Sequence, residues 1–146
     1  MKASELSIND WAHFHYKNGF KEEVSFDFKV TQLPHRYGNE NQVWGKSVDG
    51  KHHGNIGDVS KIEPVPITTE ILEKNFGEKI DGEYFYGDEF CELYINEISD
   101  SIWRVEYDCV EMNGIPRQSN NVFFVHELQH ALRLCGFNDK ADDFFV

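Results

Sequence analysis

The sequence predicts an α+β fold: a curled N-terminal antiparallel sheet or partial barrel, a short middle helix, further antiparallel strands and a C-terminal amphipathic helix. Three observations predict it. Apolar and polar residues alternate from Val24 to Val30, which is typical of a strand with one buried face. Asn18-Gly19 lies between two strand-like segments and favours a tight hairpin turn. Apolar residues in 122–135 recur instead at helical spacing.

The N-terminal part, residues 1–60, is predicted to be rich in β structure. Strands are expected at 11–16 and 20–33 on either side of the hairpin turn, and at 42–48 before an Asp-Gly turn. Residues 54–58 hold two glycines and an asparagine, so a loop is expected there. These segments together predict a small sheet.

Residues 61–77 are predicted to form a connector and a short helix. Pro64 and Pro66 exclude a central strand, which favours an extended connector. Thr68 is a good N-cap residue for a helix that ends before Gly77.

The region 83–112 is predicted to contain two strands, at 83–98 and 102–112. Asn121 is expected to cap a helix over 122–135 that packs its apolar side on the sheet. The tail is expected to dock through its two phenylalanines, Phe144 and Phe145. No linker composition is present, so residues 1–146 are predicted to form a single domain.

Composition excludes several classes of protein. The 146 residues are 40% hydrophobic and 14% aromatic, which excludes a disordered chain. A formal charge of −12 makes binding to duplex nucleic acid unfavourable, although a local pocket can still bind a small anion. No apolar run is long enough for a membrane helix, and no signal peptide is recognisable. We therefore expect a soluble protein in the cytoplasm of a bacterial host cell.

The three cysteines are Cys91, Cys109 and Cys135. Their odd number, wide spacing and lack of a CxxC motif argue against a disulfide framework and against a zinc knuckle. Each lies in an apolar pattern. We expect three separate core residues in a reducing compartment.

His126-Glu127-Leu128-Gln129-His130 is an HExxH motif on a predicted helix. Histidines at i and i+4 can share a zinc ion, and Glu127 can act as general base on zinc-bound water. A third ligand is missing at the usual spacing, where Gly136 stands. The two histidines are also expected on the solvent-facing side of the helix, opposite its apolar stripe. Zinc-dependent hydrolysis is therefore the alternative and not the leading hypothesis.

A second group of residues has the chemistry of a phosphate or nucleotide site. Its members are guanidinium and aromatic side chains, Arg36, Tyr37, Trp44, Arg104 and Arg117. Such groups bind phosphates and stack on bases. An ordinary loop with a partly buried aromatic residue explains them more simply, so this ligand-binding site is a hypothesis.

Three segments resemble a family of small uncharacterised proteins that is abundant in Bacteroidetes genomes, prophages and phages. They are residues 1–11 (MKASELSINDW), 62–72 (IEPVPITTEIL) and 122–132 (VFFVHELQHAL), in the family's order. The family's last helix typically reads V-H-E-L-Q-N, with asparagine where this chain has His130. The resemblance implies that this helix is a structural signature, and it implies no activity.

The leading hypothesis is a non-enzymatic binding protein of a Bacteroidetes phage or mobile element that uses no cofactor. A specific form is counter-defence, in which the protein sequesters a nucleotide-derived signal or a host factor, with a pocket formed by homo-oligomerisation. The first alternative is the zinc hydrolase. The second is an adaptor that binds a host protein through its acidic surface.

Overall fold

A computed structural model of the chain describes residues 5–17, 23–33, 41–109 and 118–146. Two antiparallel sheets, of five and four strands, and a few short helices confirm the predicted α+β class. The sheets do not form a closed barrel. The chain divides into two compact units, residues 1–65 and 66–146, and each unit contains one sheet.

The first unit contains the five-stranded sheet, in the order β4-β3-β2-β1-β5. Every neighbouring pair of strands is antiparallel. The strands are β1 (Trp11–Lys17), β2 (Glu23–Gln32), β3 (Gln42–Ser47), β4 (His53–Asp58) and β5 (Ile62–Pro64), with one 3-10 turn over Val59–Lys61.

β1 and β2 form the predicted hairpin, with Phe14 directly opposite Phe26. Phe28 and Val30 of β2 are fully buried in the core of this unit, as their alternation predicts. The Asn18-Gly19 turn itself lies outside the described residues.

The predicted loop at 54–58 is wrong, because His53–Asp58 forms the edge strand β4 beside β3. One of its two glycines permits close packing. Gly57 has a φ of +150°, and a Cβ atom there would lie 2.8 Å from the Phe14 ring. Glycine in this strand therefore marks the approach of an aromatic ring and a local irregularity in the pairing.

The predicted connector is also partly structured, since Ile62–Pro64 pairs with β1 as the short strand β5. An edge strand tolerates proline because only one of its sides needs hydrogen-bond donors. The prolines therefore exclude a central strand without excluding a strand.

The second unit contains the four-stranded sheet, in the order β6-β7-β8-β9, and all three helices. Its elements are α1 (Thr69–Phe76), β6 (Tyr84–Gly87), β7 (Cys91–Ser99), β8 (Ile102–Cys109), β9 (Gln118–Val122), α2 (Val125–Leu134) and α3 (Asn138–Asp142).

α1 begins and ends as predicted. The Thr68 hydroxyl accepts a hydrogen bond from the Ile71 backbone N–H at 3.2 Å, and Gly77 follows the helix with a φ of +78°. Thr68 is therefore the N-cap, and Gly77 ends the helix, as the sequence predicts.

The single strand predicted at 83–98 is wrong, because a turn divides it into β6 and β7. The Asp88 carboxylate accepts hydrogen bonds from the backbone N–H groups of Phe90 and Cys91, at 2.8 and 3.0 Å. An aspartate that bonds to the backbone two and three residues further on stabilises a turn. The predicted strand at 102–112 is confirmed up to Cys109, and residues 110–112 lie outside the described part.

The predicted start of the last helix is wrong. Asn121 lies in β9, which pairs with β8, and α2 begins only at Val125. The apolar stripe of the helix is confirmed, since Leu128 and Leu132 are fully buried. The strand was missed because its sequence, Gln-Ser-Asn-Asn-Val, is mostly polar.

The C-terminal tail docks through Phe144, as predicted, whereas Phe145 is 58% exposed. The Asn75 side chain holds the backbone of Phe145 instead. Its amide nitrogen donates to the Phe145 carbonyl at 2.7 Å, and its amide oxygen accepts from the Phe145 N–H at 2.9 Å. One buried amide thus joins the end of α1 to the tail.

None of the described helices is both long enough and apolar enough to cross a membrane.

Replacement of Gly45 in β3 should destabilise the first unit. A Cβ atom at Gly45 would lie 2.3 Å from the Phe28 ring and 2.7 Å from the Lys29 carbonyl oxygen. We expect Gly45→Ala to lower the free energy of unfolding by about 2 kcal/mol, within the range typical of an overpacked core. Urea denaturation measures the change. The neighbouring exposed variant Lys46→Ala should change it by less than about 0.5 kcal/mol, and equal stability of both variants would contradict the packing described.

Candidate functional sites

A small cleft opens in the first unit beside the turn between β3 and β4. Its volume is about 260 Å³, and its walls combine aliphatic and aromatic side chains with basic and amide groups. The lining residues are Phe14, Val24, Phe26, Lys51, His52, His53, Asn55 and Ile56. Such a lining suits a ligand that has an apolar part and a negative charge.

Hydrogen bonds fix the turn that carries the basic residues. The Ser47 hydroxyl donates to the Asp49 carboxylate at 2.7 Å and accepts from the His52 N–H at 3.0 Å. The Asp49 carboxylate also accepts from the Lys51 N–H at 3.0 Å and forms an ion pair with the Lys51 ammonium at 3.1 Å. These contacts hold the pKa of Asp49 well below its usual range, and the hydrogen bond from Ser47 contributes most. The conformation of the turn is therefore well determined.

His52 lies flat against an aromatic ring of the sheet. The imidazole and the Phe26 ring are parallel within 2°, with centroids 4.1 Å apart. The neighbouring Lys51 and His53 line the same cleft. One aromatic stack and the side chains of Lys51 and His53 thus line the same cleft.

The residues that line this cleft are not those of the predicted ligand group. Arg36, Tyr37 and Arg117 lie outside the described residues. Trp44 is half-buried in β3 of the first unit, and Arg104 is half-buried in β8 of the second unit, opposite Asn96 and Asn121 in the neighbouring strands.

Lys51, His52 and His53 were not among the residues predicted to line a site, because a His-His pair in a turn is usually only solvated. A signal was present nonetheless. Three consecutive basic or imidazole residues follow an Asp-Gly turn in a chain of formal charge −12.

The HExxH histidines do not face solvent as expected. His126 is only 6% exposed, and His130 is half-buried. The His126 ring stacks on Phe124 with centroids 6.0 Å apart and stands nearly perpendicular to the His130 ring at 5.9 Å. The two rings therefore pack as aromatic groups within the unit.

The helix α3 packs on the polar side of α2, beside Gln129 and Arg133. The fully buried Gln129 amide donates to the Ala141 carbonyl at 2.7 Å. The Arg133 guanidinium donates to the Asp142 carboxylate at 3.1 Å. A helical wheel shows which residues share a side, but it does not show that a later segment folds over it.

Glu127 is engaged at the beginning of α2. Its carboxylate accepts hydrogen bonds from the backbone N–H groups of Phe123 and Phe124, at 2.7 and 3.2 Å. Backbone N–H groups at the beginning of a helix have no partner within the helix. A glutamate in the first turn can accept hydrogen bonds from such groups. This geometry gives Glu127 a structural role and removes it from the position of a general base.

The histidine pair also has no third metal ligand within the described residues. There, the group of three or more potential ligand atoms that lie close enough to share an ion consists of cysteines alone, Cys91, Cys109 and Cys135. A catalytic zinc ion needs three protein ligands. The described part of the chain therefore lacks the ligand set that the hydrolase alternative requires.

A capping role for Glu127 makes a specific prediction. Glu127→Ala should lower the free energy of unfolding by about 1 kcal/mol, because two backbone N–H groups lose their acceptor. Glu127→Gln keeps an acceptor oxygen and should lose less than half of that. Thermal or urea denaturation measures both. Equal stability of wild type and Glu127→Ala would contradict the capping role.

The three cysteines converge in the second unit, which corrects the expectation of three separate core residues. Cys91 of β7 lies directly opposite Cys109 of β8, and the two form a disulfide. Cys135 follows the last turn of α2, and all three sulfur atoms lie within 4.8 Å of one another. The separation of 18 residues between the bonded cysteines concealed the pairing, because it depends on strand register.

Cys135 is the unpaired thiol of this cluster and is half-buried. Burial raises the pKa of the Cys135 thiol to about 11. The thiol is therefore protonated at neutral pH, and attack of its thiolate on the neighbouring disulfide is slow.

Alkylation by iodoacetamide tests this environment, since its rate follows the thiolate fraction. Without reductant, one cysteine per chain should react. Its rate should rise about tenfold per pH unit from pH 7 and should flatten only near pH 11. Glutathione serves as the exposed-thiol control. A rate for Cys135 that flattens together with that of glutathione would contradict the buried thiol.

Comparison of the chain with protein-family models, with curated proteins and with solved structures finds no match.

Proposed function

We propose that the protein is a non-catalytic binding protein that takes a small anionic ligand in the cleft of the first unit. The observation that carries the proposal is the fixed turn that places Lys51, His52 and His53 at a cleft lined by Phe26. Two features of the ligand follow, its charge and its size.

The charge of the ligand follows from the basic side chains of the cleft. The described residues that line it include one lysine and two histidines and no carboxylate. The Lys51 ammonium is partly balanced by Asp49, at 3.1 Å. The imidazole N–H groups of His52 and His53 add hydrogen-bond donors for the ligand. This lining favours an anion over a cation.

The size of the ligand follows from the cleft volume of about 260 Å³, which is at the small end for ligand pockets. One ring system or one phosphorylated sugar fits such a space better than a whole dinucleotide. The exposed face of His52, already stacked on Phe26 at 4.1 Å, offers a flat surface for a ring. A mononucleotide-sized anion combines both features.

Binding without catalysis is supported by the chemistry of the lining. Among the described residues that line the cleft there is no hydroxyl, thiol or carboxylate group. A nucleophile, or an acid that orients a histidine, would be drawn from those groups. Sequestration of a small ligand requires none of them, and we propose it as the way in which the protein could act in counter-defence.

Calorimetric titration with AMP, adenosine and inorganic phosphate tests the proposal. AMP offers a ring and an anion together, and we expect it to bind with a dissociation constant below about 1 mM. Adenosine and phosphate should each bind more weakly. Lys51→Ala and His53→Ala should each weaken AMP binding at least threefold, and the exposed variant Lys17→Ala should bind like wild type.

Two results would refute the proposal. One is the absence of heat with AMP and with phosphate at millimolar concentration, at both pH 6 and pH 8. The other is binding that Lys51→Ala and His53→Ala leave unchanged, because the ligand would then occupy another part of the chain.

A further inference from the structure

Strand register and a helix end bring three sulfur atoms together in the second unit. Residues directly opposite in an antiparallel pair point to the same face of the sheet, so Cys91 and Cys109 present their sulfur atoms side by side. Cys135, at the end of α2, adds the third. Chain elements that are distant in sequence therefore contribute one thiol each.

The spacing of the sulfur atoms is close to that of a thiolate metal centre. Zinc–sulfur bonds of about 2.3 Å at tetrahedral angles place bound sulfur atoms about 3.8 Å apart. The three sulfur atoms here all lie within 4.8 Å of one another. Rotation about the Cα–Cβ bonds of the cysteines changes these separations while the backbone, which belongs to β7, β8 and the end of α2, stays in place.

The electrostatic surroundings favour a cation. A cleft of about 280 Å³ opens beside Cys91, and among the described residues its lining contains four carboxylates and no basic side chain. The described lining residues are Asp88, Glu89, Phe90, Cys91, Glu92 and Asp108. Glu92 and Asp108 are directly opposite each other, an arrangement that like charges disfavour unless a cation is near.

These carboxylates act by charge and are not ligands in this arrangement. Alternation along β7 and β8 places Glu92 and Asp108 on the opposite face of the sheet from the two neighbouring cysteines. The Asp88 carboxylate is occupied by the N–H groups of Phe90 and Cys91. Water or an exogenous group would complete the fourth position of a tetrahedral ion.

We infer that Cys91, Cys109 and Cys135 form a thiolate site for a soft divalent cation, zinc above all, and that the Cys91–Cys109 disulfide closes it. Thiolates select such ions over Mg²⁺ and Ca²⁺. The disulfide form leaves one thiol, which is too few to hold the ion. The cluster is thus a metal site whose occupancy depends on redox state, independent of the ligand cleft in the first unit.

Reduction of the disulfide and binding of the ion are two successive steps. A phosphine or dithiol reductant supplies two electrons, and with two protons the Cys91–Cys109 bond becomes two thiols. Zn²⁺ then replaces three thiol protons, which are released to solvent, and three zinc–sulfur bonds form. Oxidation by a disulfide compound reverses the process, because the ion leaves when two of its ligands join.

Equilibrium metal binding tests the site. Phosphine-reduced protein should bind one Zn²⁺ per chain, and unreduced protein should bind less than a tenth of that. Co²⁺ in place of Zn²⁺ should give thiolate charge-transfer absorption, which reports sulfur ligation in the wild-type chain without any substitution. Magnesium at millimolar concentration should not compete.

Variants then assign the ligands. Cys135→Ser should lower the affinity for Zn²⁺ at least tenfold, and His130→Asn, which alters the HExxH motif, should leave it unchanged. Circular dichroism of the metal-free variants checks that both fold. For the wild-type chain, the inference is overturned if reduced protein binds no zinc, if the Co²⁺ complex lacks thiolate absorption, or if the disulfide form binds zinc equally well. For the variants, it is overturned if zinc binding is lost in His130→Asn but kept in Cys135→Ser.

Discussion

The register between β7 and β8 is the constraint on which the second unit depends. It places Leu93 opposite Tyr107 and Ile95 opposite Val105 on the buried face, and the same alternation puts Cys91 opposite Cys109. A slip by one residue would turn every one of these side chains to the other face of the sheet. Burial of the core and convergence of the sulfur atoms are therefore consequences of one pairing, so the packing that stabilises this unit also builds its chemical site.

The C-terminal segment completes this unit by covering the polar side of α2. Gln129 is fully buried, and its amide is satisfied by the Ala141 carbonyl at 2.7 Å. An unsatisfied buried amide would cost about 1–3 kcal/mol, so α2 and α3 specify each other's position. In the same helix, the HExxH histidines pack beside Phe124 and each other, and Glu127 accepts hydrogen bonds at the beginning of α2. A motif that indicates metal chemistry in sequence has a structural role in this fold.

Local patterns predicted much of the fold, and tertiary contacts decided the rest. The alternation from Val24 to Val30 and the cap at Thr68 are readable because each depends on neighbours in sequence. The strand at His53–Asp58 was not readable from the sequence, since Gly57 is explained only by the Phe14 ring that packs on it. The predicted ligand site relied on residue type, arginine and aromatic. The cleft instead uses His52 against Phe26, a pair that only the folded sheet brings together. The cysteine pairing depends on register in the same way.

Disulfide mapping of air-exposed protein tests whether the β7–β8 register brings the cysteines together, because the linked pair depends on that register. The protein is alkylated under denaturing conditions at low pH and digested without reductant, and the peptides are identified by mass spectrometry. We expect one disulfide-linked pair of peptides, which joins Cys91 to Cys109, and an alkylated Cys135. A link from Cys135 to either partner, or alkylation of all three residues, would contradict it.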